Sequence, residues 1–192
     1  MPDRASDQPT AQSPLPDDGY ATLNRWVVIR VSGPSTDTFL NGQLSQSLDD
    51  VTATFSPRAA ACTPKGRSYA LTRLVRDGDD VLLTLPESLA DSVMAHLNKF
   101  LMLFRGTTMT VDSSARILGL FGTALAERWL AGAAANLAVP GMTAAVGPHR
   151  LIRTEDTAAG TTRFELWLNG PLSSADTDRL SGATEHREAD WE

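Results

Sequence analysis

Apolar positions along this chain recur at two periods, and the switches between them mark out the elements. Trp26-Val27-Val28-Ile29-Arg30-Val31 is almost continuously apolar and reads as a strand buried over most of its length. Gly33-Pro34 ends it. Proline suits the first turn of the helix that follows, which carries Phe39, Leu40, Gln43 and Leu44 on one face. Residues 55–63 and 68–75 read as a hairpin around Thr63-Pro64-Lys65-Gly66, where proline second and glycine fourth match a tight turn. Asp77-Gly78-Asp79 turns the chain into a strand over 81–85. Pro86 then opens the clearest helix, with Leu89, Val93, Leu97 and Phe100 at spacings of four, four and three. Residues 107–111 alternate as a strand.

The same order begins again at Arg116. Residues 117–121 read as a buried strand, and Thr123 as the N-cap of a helix through Ala134. Pro140-Gly141 interrupts, and residues 151–154 pair with 163–168 across Ala158-Ala159-Gly160. Asn169-Gly170-Pro171 turns into a short helix over 173–181, and 184–187 form a last edge strand. Each half runs strand, helix, two or three strands, helix, strand, the order of a ferredoxin-like, split β-α-β unit. No residue identities repeat between the halves, so the duplication is one of topology. The fold class is therefore α+β, with antiparallel sheets and helices. Residues 1–18 lack the apolar mass to offset ordering entropy and read as a disordered tail.

Charge narrows the partners. The formal charge of −6 is uneven: residues 1–18 carry −3 and 173–192 carry −4, which leaves 19–172 at +1. That balance argues against a duplex nucleic-acid binder, which needs a basic stripe, and leaves room for a locally basic pocket. The single cysteine, Cys62, excludes an internal disulfide and fits a reducing cytosol. No signal-peptide core or apolar run of transmembrane length stands out, so a soluble cytoplasmic protein without a membrane partner is expected.

Candidate chemistry concentrates at the hairpin. Ala59-Ala60-Ala61-Cys62 lets a backbone or a ligand approach closely, and the turn sets Lys65 and Arg67 at a rim. Strict alternation puts Arg67, Tyr69, Leu71 and Arg73 on one strand face. An aromatic between arginines suits a planar anionic ligand, and equally suits the wet side of an antiparallel sheet. Two cations at a turn tip are also what a solvated hairpin usually carries. His96, His149 and His186 lie far apart without ligand spacing, so no metal site is expected. Cys62 has no base placed beside it by a local motif and reads as a small buried strand residue. No phosphate-cradling loop or dinucleotide fingerprint is present.

In order along the chain, these residues resemble the YgfZ-type folate-binding family, relatives of the glycine-cleavage T-protein. The resemblance rests on Trp26 to Val31 with Gly33-Pro34, on Thr38-Phe39-Leu40-Asn41-Gly42-Gln43-Leu44-Ser45, and on Ala60-Ala61-Cys62-Thr63-Pro64-Lys65-Gly66-Arg67. It continues through Arg73-Leu74-Val75-Arg76-Asp77-Gly78, His96-Leu97-Asn98-Lys99-Phe100 and Ile117 to Gly122. The family's Lys-Gly-Cys-Tyr-x-Gly-Gln-Glu hallmark is absent, as it follows the region where Glu192 stands. The acidic pair of the aminomethyltransferases is replaced by Tyr69 and Ala70.

The resemblance implies the folate-binding fold of the T-protein, with a folate-binding-like unit over 19–113, a ferredoxin-like unit over 114–187 and the start of a further part at 188–192. It implies tetrahydrofolate as ligand, bound by Gln43, Thr63, Lys65, Gly66, Arg67, Tyr69 and Arg73, with no residue in a catalytic role. The function implied is an accessory one, supporting iron–sulfur enzymes that include a tRNA-modifying one, with iron–sulfur proteins as partners. Two alternatives stand beside it: a folate-dependent aminomethyltransferase, and an interaction module with a vestigial folate site.

Overall fold

The computed structural model describes residues 18–63 and 65–191. The tail expected over residues 1–18 lies outside them except for Asp18. That residue is held in place: its carboxylate pairs with Arg128 and its carbonyl accepts the Thr184 N–H.

The first half contains β1 (Gly19–Thr22), β2 (Trp26–Ser32), α1 (Thr36–Asn41), β3 (Arg58–Cys62), β4 (Ser68–Asp77), β5 (Asp80–Pro86), α2 (Glu87–Leu101) and β6 (Thr108–Val111). The second contains β7 (Ala115–Phe121), α3 (Thr123–Leu130), β8 (Thr143–Val146), β9 (His149–Arg153), β10 (Arg163–Asn169), α4 (Ser174–Leu180) and β11 (Thr184–His186). They build two mixed-order sheets. One runs β3-β4-β5-β2-β6, and the other β11-β1-β7-β10-β9-β8. All neighbours are antiparallel except β1 and β11.

The strand β1 crosses the boundary that the sequence places at residue 113. Grouped by sequence with the first unit, it lies in the second sheet, wedged between β7 and β11. A four-residue strand has too few positions to declare a period, and its partners are distant in sequence.

The layers run helix, sheet, sheet, helix. On β2, Val27, Ile29 and Val31 face α1 and α2, in a core shared with Phe39, Leu40, Val93 and Leu97. The alternate residues Trp26 and Val28 face the other sheet, against Val75, Ile117, Phe121, Ile152 and Trp167. The outer face of the second sheet packs Leu118, Leu120, Phe164 and Leu166 on Leu125, Ala126 and Trp129 of α3. Two covered faces explain why β2 and β7 read as near-continuous apolar runs. Each fully buried Leu or Phe contributes about 1.5–3 kcal/mol of transfer free energy.

Helix details depart from the pattern. The buried stripe of α2 is Ala90, Val93, Leu97 and Leu101, and Leu89 is turned outward. The helix α3 stops at Leu130, short of Ala134, because Ala131 adopts the left-handed conformation and Gly132 follows with positive φ.

Residues 173–191 are anchored by packing: Trp191 is buried against Phe121 with ring centroids 5.4 Å apart. Ser173 and Asp176 close a capping box on α4.

Candidate functional site

The small residues of β3 serve the chain's own backbone. Residues 43–45 run alongside the strand edge: the Ser45 N–H donates to the Ala60 carbonyl at 2.9 Å, and the Cys62 N–H to the Gln43 carbonyl at 3.3 Å. Ser45 Oγ accepts the Ala60 N–H, and Leu44 bridges Ala61. Alanines let this segment close what would otherwise be an open sheet edge.

The hairpin tip is as tight as its sequence predicts. The Gly66 N–H donates to the Thr63 carbonyl at 2.8 Å, with Gly66 at φ 75°, a conformation glycine adopts without steric cost. The Thr63 hydroxyl accepts the Arg67 N–H at 3.2 Å. Pro64 lies outside the described residues. Lys65, Gly66 and Arg67 are exposed, and Gln43 and Thr63 are half-buried.

Strict alternation fails at Tyr69. Ala61 pairs with Ala70 but Cys62 pairs with Ser68, so Tyr69 is the extra residue of a β-bulge. The bulge re-aims the ring onto the helical side, where it meets His96 of α2 edge-on at 5.0 Å. Tyr69 therefore does not share a face with Arg73. Burial, and then the neighbouring Cys62, push its phenol above the usual range. Cys62 itself is half-buried rather than buried, with its thiol 3.7 Å from the Ala60 carbonyl.

Beyond the bulge alternation resumes, and Leu71, Arg73 and Val75 face the seam between the sheets. Six residue steps, about 20 Å, separate Arg73 from Arg67. Arg73 is only 3% exposed. Its Nη1 donates to the Ser56 carbonyl at 2.9 Å, and its backbone N–H to Thr84 Oγ1 at 3.2 Å. Its Nε lies 3.0 Å from Glu165 Oε2 on β10, an ion pair without hydrogen-bond alignment. Glu165 Oε2 also accepts the Trp167 indole N–H at 3.0 Å. The second guanidinium nitrogen of Arg73, Nη2, has no hydrogen-bond partner, and Glu155 Oε2 stands 3.9 Å from it.

These groups line a cavity of about 80 Å³ at the seam, walled by Trp26, Leu71, Arg73, Ile117, Glu165 and Trp191, with Arg58 at its rim. Arg163 stacks over Trp191 at 4.7 Å and donates to its carbonyl. Glu155, on the loop between β9 and β10, holds Arg58 at 3.0 Å. Burial works to raise the Glu155 carboxyl. A backbone hydrogen bond and the guanidiniums of Arg58, Arg73 and Arg163 together bring it below its usual range. Of the residues singled out by sequence, Arg73 alone stands in this cavity, and Gln43, Thr63, Lys65, Gly66 and Arg67 gather at the hairpin tip. Sequence reasoning missed Glu165, Trp26 and Trp191, because each enters from an element remote in sequence. The one available signal was an acid, Glu165, on the otherwise apolar run of β10.

At the other end of the seam a second cavity of about 290 Å³ meets Arg30, Asp77, Asp112, His149, Arg150 and Trp167. His149 is buried and locked: its Nδ1 accepts the Asn169 N–H at 3.1 Å, which leaves Nε2–H to donate to Asp176 Oδ2 at 3.1 Å. Burial opposes ionisation of Asp176, but hydrogen bonds from Ser173 and His149 outweigh it and hold the carboxyl at about 2. A depressed carboxyl stabilises the fold above its unfolded value near 3.8, and that contribution disappears as pH falls toward 2. Asp176→Asn should therefore lose roughly 2 kcal/mol at pH 7 and show a flatter stability profile between pH 4 and 2. Urea unfolding across that range checks it, and parallel profiles for the two proteins would refute it. Among the described residues no group of three or more His, Cys, Asp or Glu side chains is placed to hold a metal ion, and no helix is long and apolar enough to cross a membrane.

Comparison with known proteins adds to this geometry. No family model matches the chain. The tRNA-modifying protein YgfZ of Escherichia coli O157:H7 is 30% identical over 115 residues, 60% of this chain and 35% of that protein. The protein of the same name from Edwardsiella ictaluri is 31% identical over 105 residues, 55% of this chain and 31% of that one. The chain is similar to the YgfZ proteins over this stretch. It matches about a third of their length. The fold is that of the glycine cleavage system aminomethyltransferase T from Bartonella henselae, with a TM-score of 0.67 over 89% of this chain and 47% of that one at 16% identity. The α+β class with antiparallel sheets, expected from periodicity, is the architecture of this T-protein fold.

Proposed function

We propose that this YgfZ-like protein binds tetrahydrofolate at the seam between its two sheets and acts as an accessory protein to tRNA modification, supporting iron–sulfur enzymes in the cytoplasm. The observation that carries the reading is the cavity holding Arg73 and Glu165. Ligand sites of this kind are apolar clefts with a few convergent polar groups. Trp26, Trp191 and Leu71 offer flat or apolar surface to a bicyclic ring. Glu165 is a carboxylate suited to the adjacent N–H groups of a pterin edge, and Arg73 Nη2 is a buried donor in want of an acceptor. Arg67 and Lys65, exposed at the hairpin tip about 20 Å along β4, suit the glutamate tail.

The aminomethyltransferase alternative is less well supported. Tyr69 and Ala70 provide no carboxylate, and Tyr69 is turned toward α2. Glu165 is already engaged by Arg73 and Trp167. Binding and release of a folate need no proton-transfer group, whereas transfer of an aminomethyl group does.

Calorimetric titration with tetrahydrofolate tests the reading. The parent protein should bind, and Lys65→Ala combined with Arg67→Ala should weaken binding by about tenfold at low ionic strength, less in high salt, because exposed charge pairs are screened. Absence of binding to the parent protein would sink the folate reading. Unchanged affinity in the double variant would remove the hairpin cations from the site.

A further inference from the structure

We infer that Arg58 and Arg73 form an oxyanion subsite at the mouth of the seam cavity, and that Glu155 occupies it as a built-in, displaceable anion. The inference rests on the seam cavity being a ligand site, but not on that ligand being a folate. It takes a carboxylate or phosphate oxygen.

Arg73 supplies the fixed half. It is anchored by the Ser56 carbonyl and by Glu165, so its position is set before any ligand arrives. Its Nη2 is buried, lacks a hydrogen-bond partner, and belongs to a side chain lining the cavity. A buried, unsatisfied guanidinium N–H is costly unless an acceptor reaches it. Glu155 comes within 3.9 Å, too far for a hydrogen bond, because its carboxylate is drawn to Arg58 at 3.0 Å. An incoming oxyanion not tethered to the protein backbone can sit between the two arginines and satisfy both.

Glu155 supplies the movable half. Its side chain is 50% exposed, so it can leave for water at little desolvation cost. The loop behind it need not move: the Glu155 carbonyl accepts a hydrogen bond from Arg163 Nε at 3.0 Å, and the Thr157 N–H donates to the Thr161 carbonyl at 2.9 Å. The backbone is pinned while the carboxylate is free to rotate outward. Arg58, 53% exposed, can follow either partner. The arrangement excludes neutral ligands that cannot outcompete a carboxylate, which is a specificity device.

The test titrates the chain with inorganic phosphate and, separately, with glutarate, following the Arg73 Nε–H resonance and the emission of the cavity tryptophans. Glu155→Gln should tighten binding of at least one of the two probes by about five- to tenfold at low ionic strength, and the preferred probe identifies the anion class. Arg58→Gln in the Glu155→Gln background should return the affinity to the parent value or below. Thermal melting of each variant confirms that the exposed substitutions leave the fold intact. Equal or weaker anion affinity in Glu155→Gln, or no response of the Arg73 signal to either probe, overturns the subsite. The folate reading fails or stands separately. Phosphate or glutarate binding that tightens in Glu155→Gln, with no tetrahydrofolate binding to either protein, would keep the subsite and discard the folate.

Discussion

Arg73→Met should destabilise the protein by about 3–5 kcal/mol, because removing one partner of a buried pair leaves the other charge without compensation. Glu165 is only 13% exposed and would retain just the Trp167 indole N–H. The Ser56 carbonyl would also lose its donor, at the point where the segment before β3 crosses to the second half of the chain. Urea unfolding measures the loss. The diagnostic companion is the double variant Arg73→Met with Glu165→Leu. Two apolar side chains of similar volume should recover much of the stability, since the pair's desolvation cost disappears with the pair. A single variant as stable as the parent would mean that the seam charges are solvated, and that the cavity is no site for a recognised ligand edge.

Gly119→Val should expel Trp191 from the seam. A side chain at residue 119 would place its first carbon 2.4–2.8 Å from the Trp191 indole, far inside contact distance, and the indole is too rigid to yield locally. Gly119 lies in register between Ala21 and Glu165, so the indole rests on bare backbone at the floor of the cavity. Losing that packing should cost roughly 2–4 kcal/mol, the range for a buried aromatic that must leave or force its neighbours apart. Trp191→Ala then decides the mechanism. If Gly119→Val acts through the indole, adding it to Trp191→Ala should cost little more than Trp191→Ala alone. Full additivity of the two would mean that β7 itself, rather than the tryptophan, is what the valine disturbs. Amide exchange gives a second check. In the parent protein the Thr184 and Trp191 N–H groups, bonded to Asp18 and Glu188, should be protected, and in Gly119→Val the Trp191 protection should vanish first.

The local elements were legible in the sequence because each is decided by neighbours within a few residues. The continuous apolar runs of β2 and β7 declared buried strands. Pro86 and the spacing through Val93 and Leu97 declared α2. Thr63 and Gly66 declared the turn, whose hydrogen bond the structure contains. The ordered series of short motifs, from Trp26 to Gly122, carried the resemblance to the YgfZ-type proteins. What the sequence could not specify is which side chains meet across the seam. A bulge adds one residue to β4 and turns Tyr69 from the arginine face to α2, because a strand's period of two has no memory of register once a residue is inserted. The pairing of Arg73 with Glu165 joins strands from different sheets, and no periodicity within either strand encodes the partner. The placement of β1 beside β7, and of Trp191 on Gly119, follows from closing both sheets on one another. That step is driven by burying Val28, Val75, Ile117 and Trp167 together, and it is non-directional until the whole surface is shaped. The sequence alone determined the local elements and the likeness to the YgfZ proteins. The tertiary structure alone decided that the cavity lies at the seam, because only packing of the two sheets brings a buried guanidinium, a carboxylate and two indoles to one place.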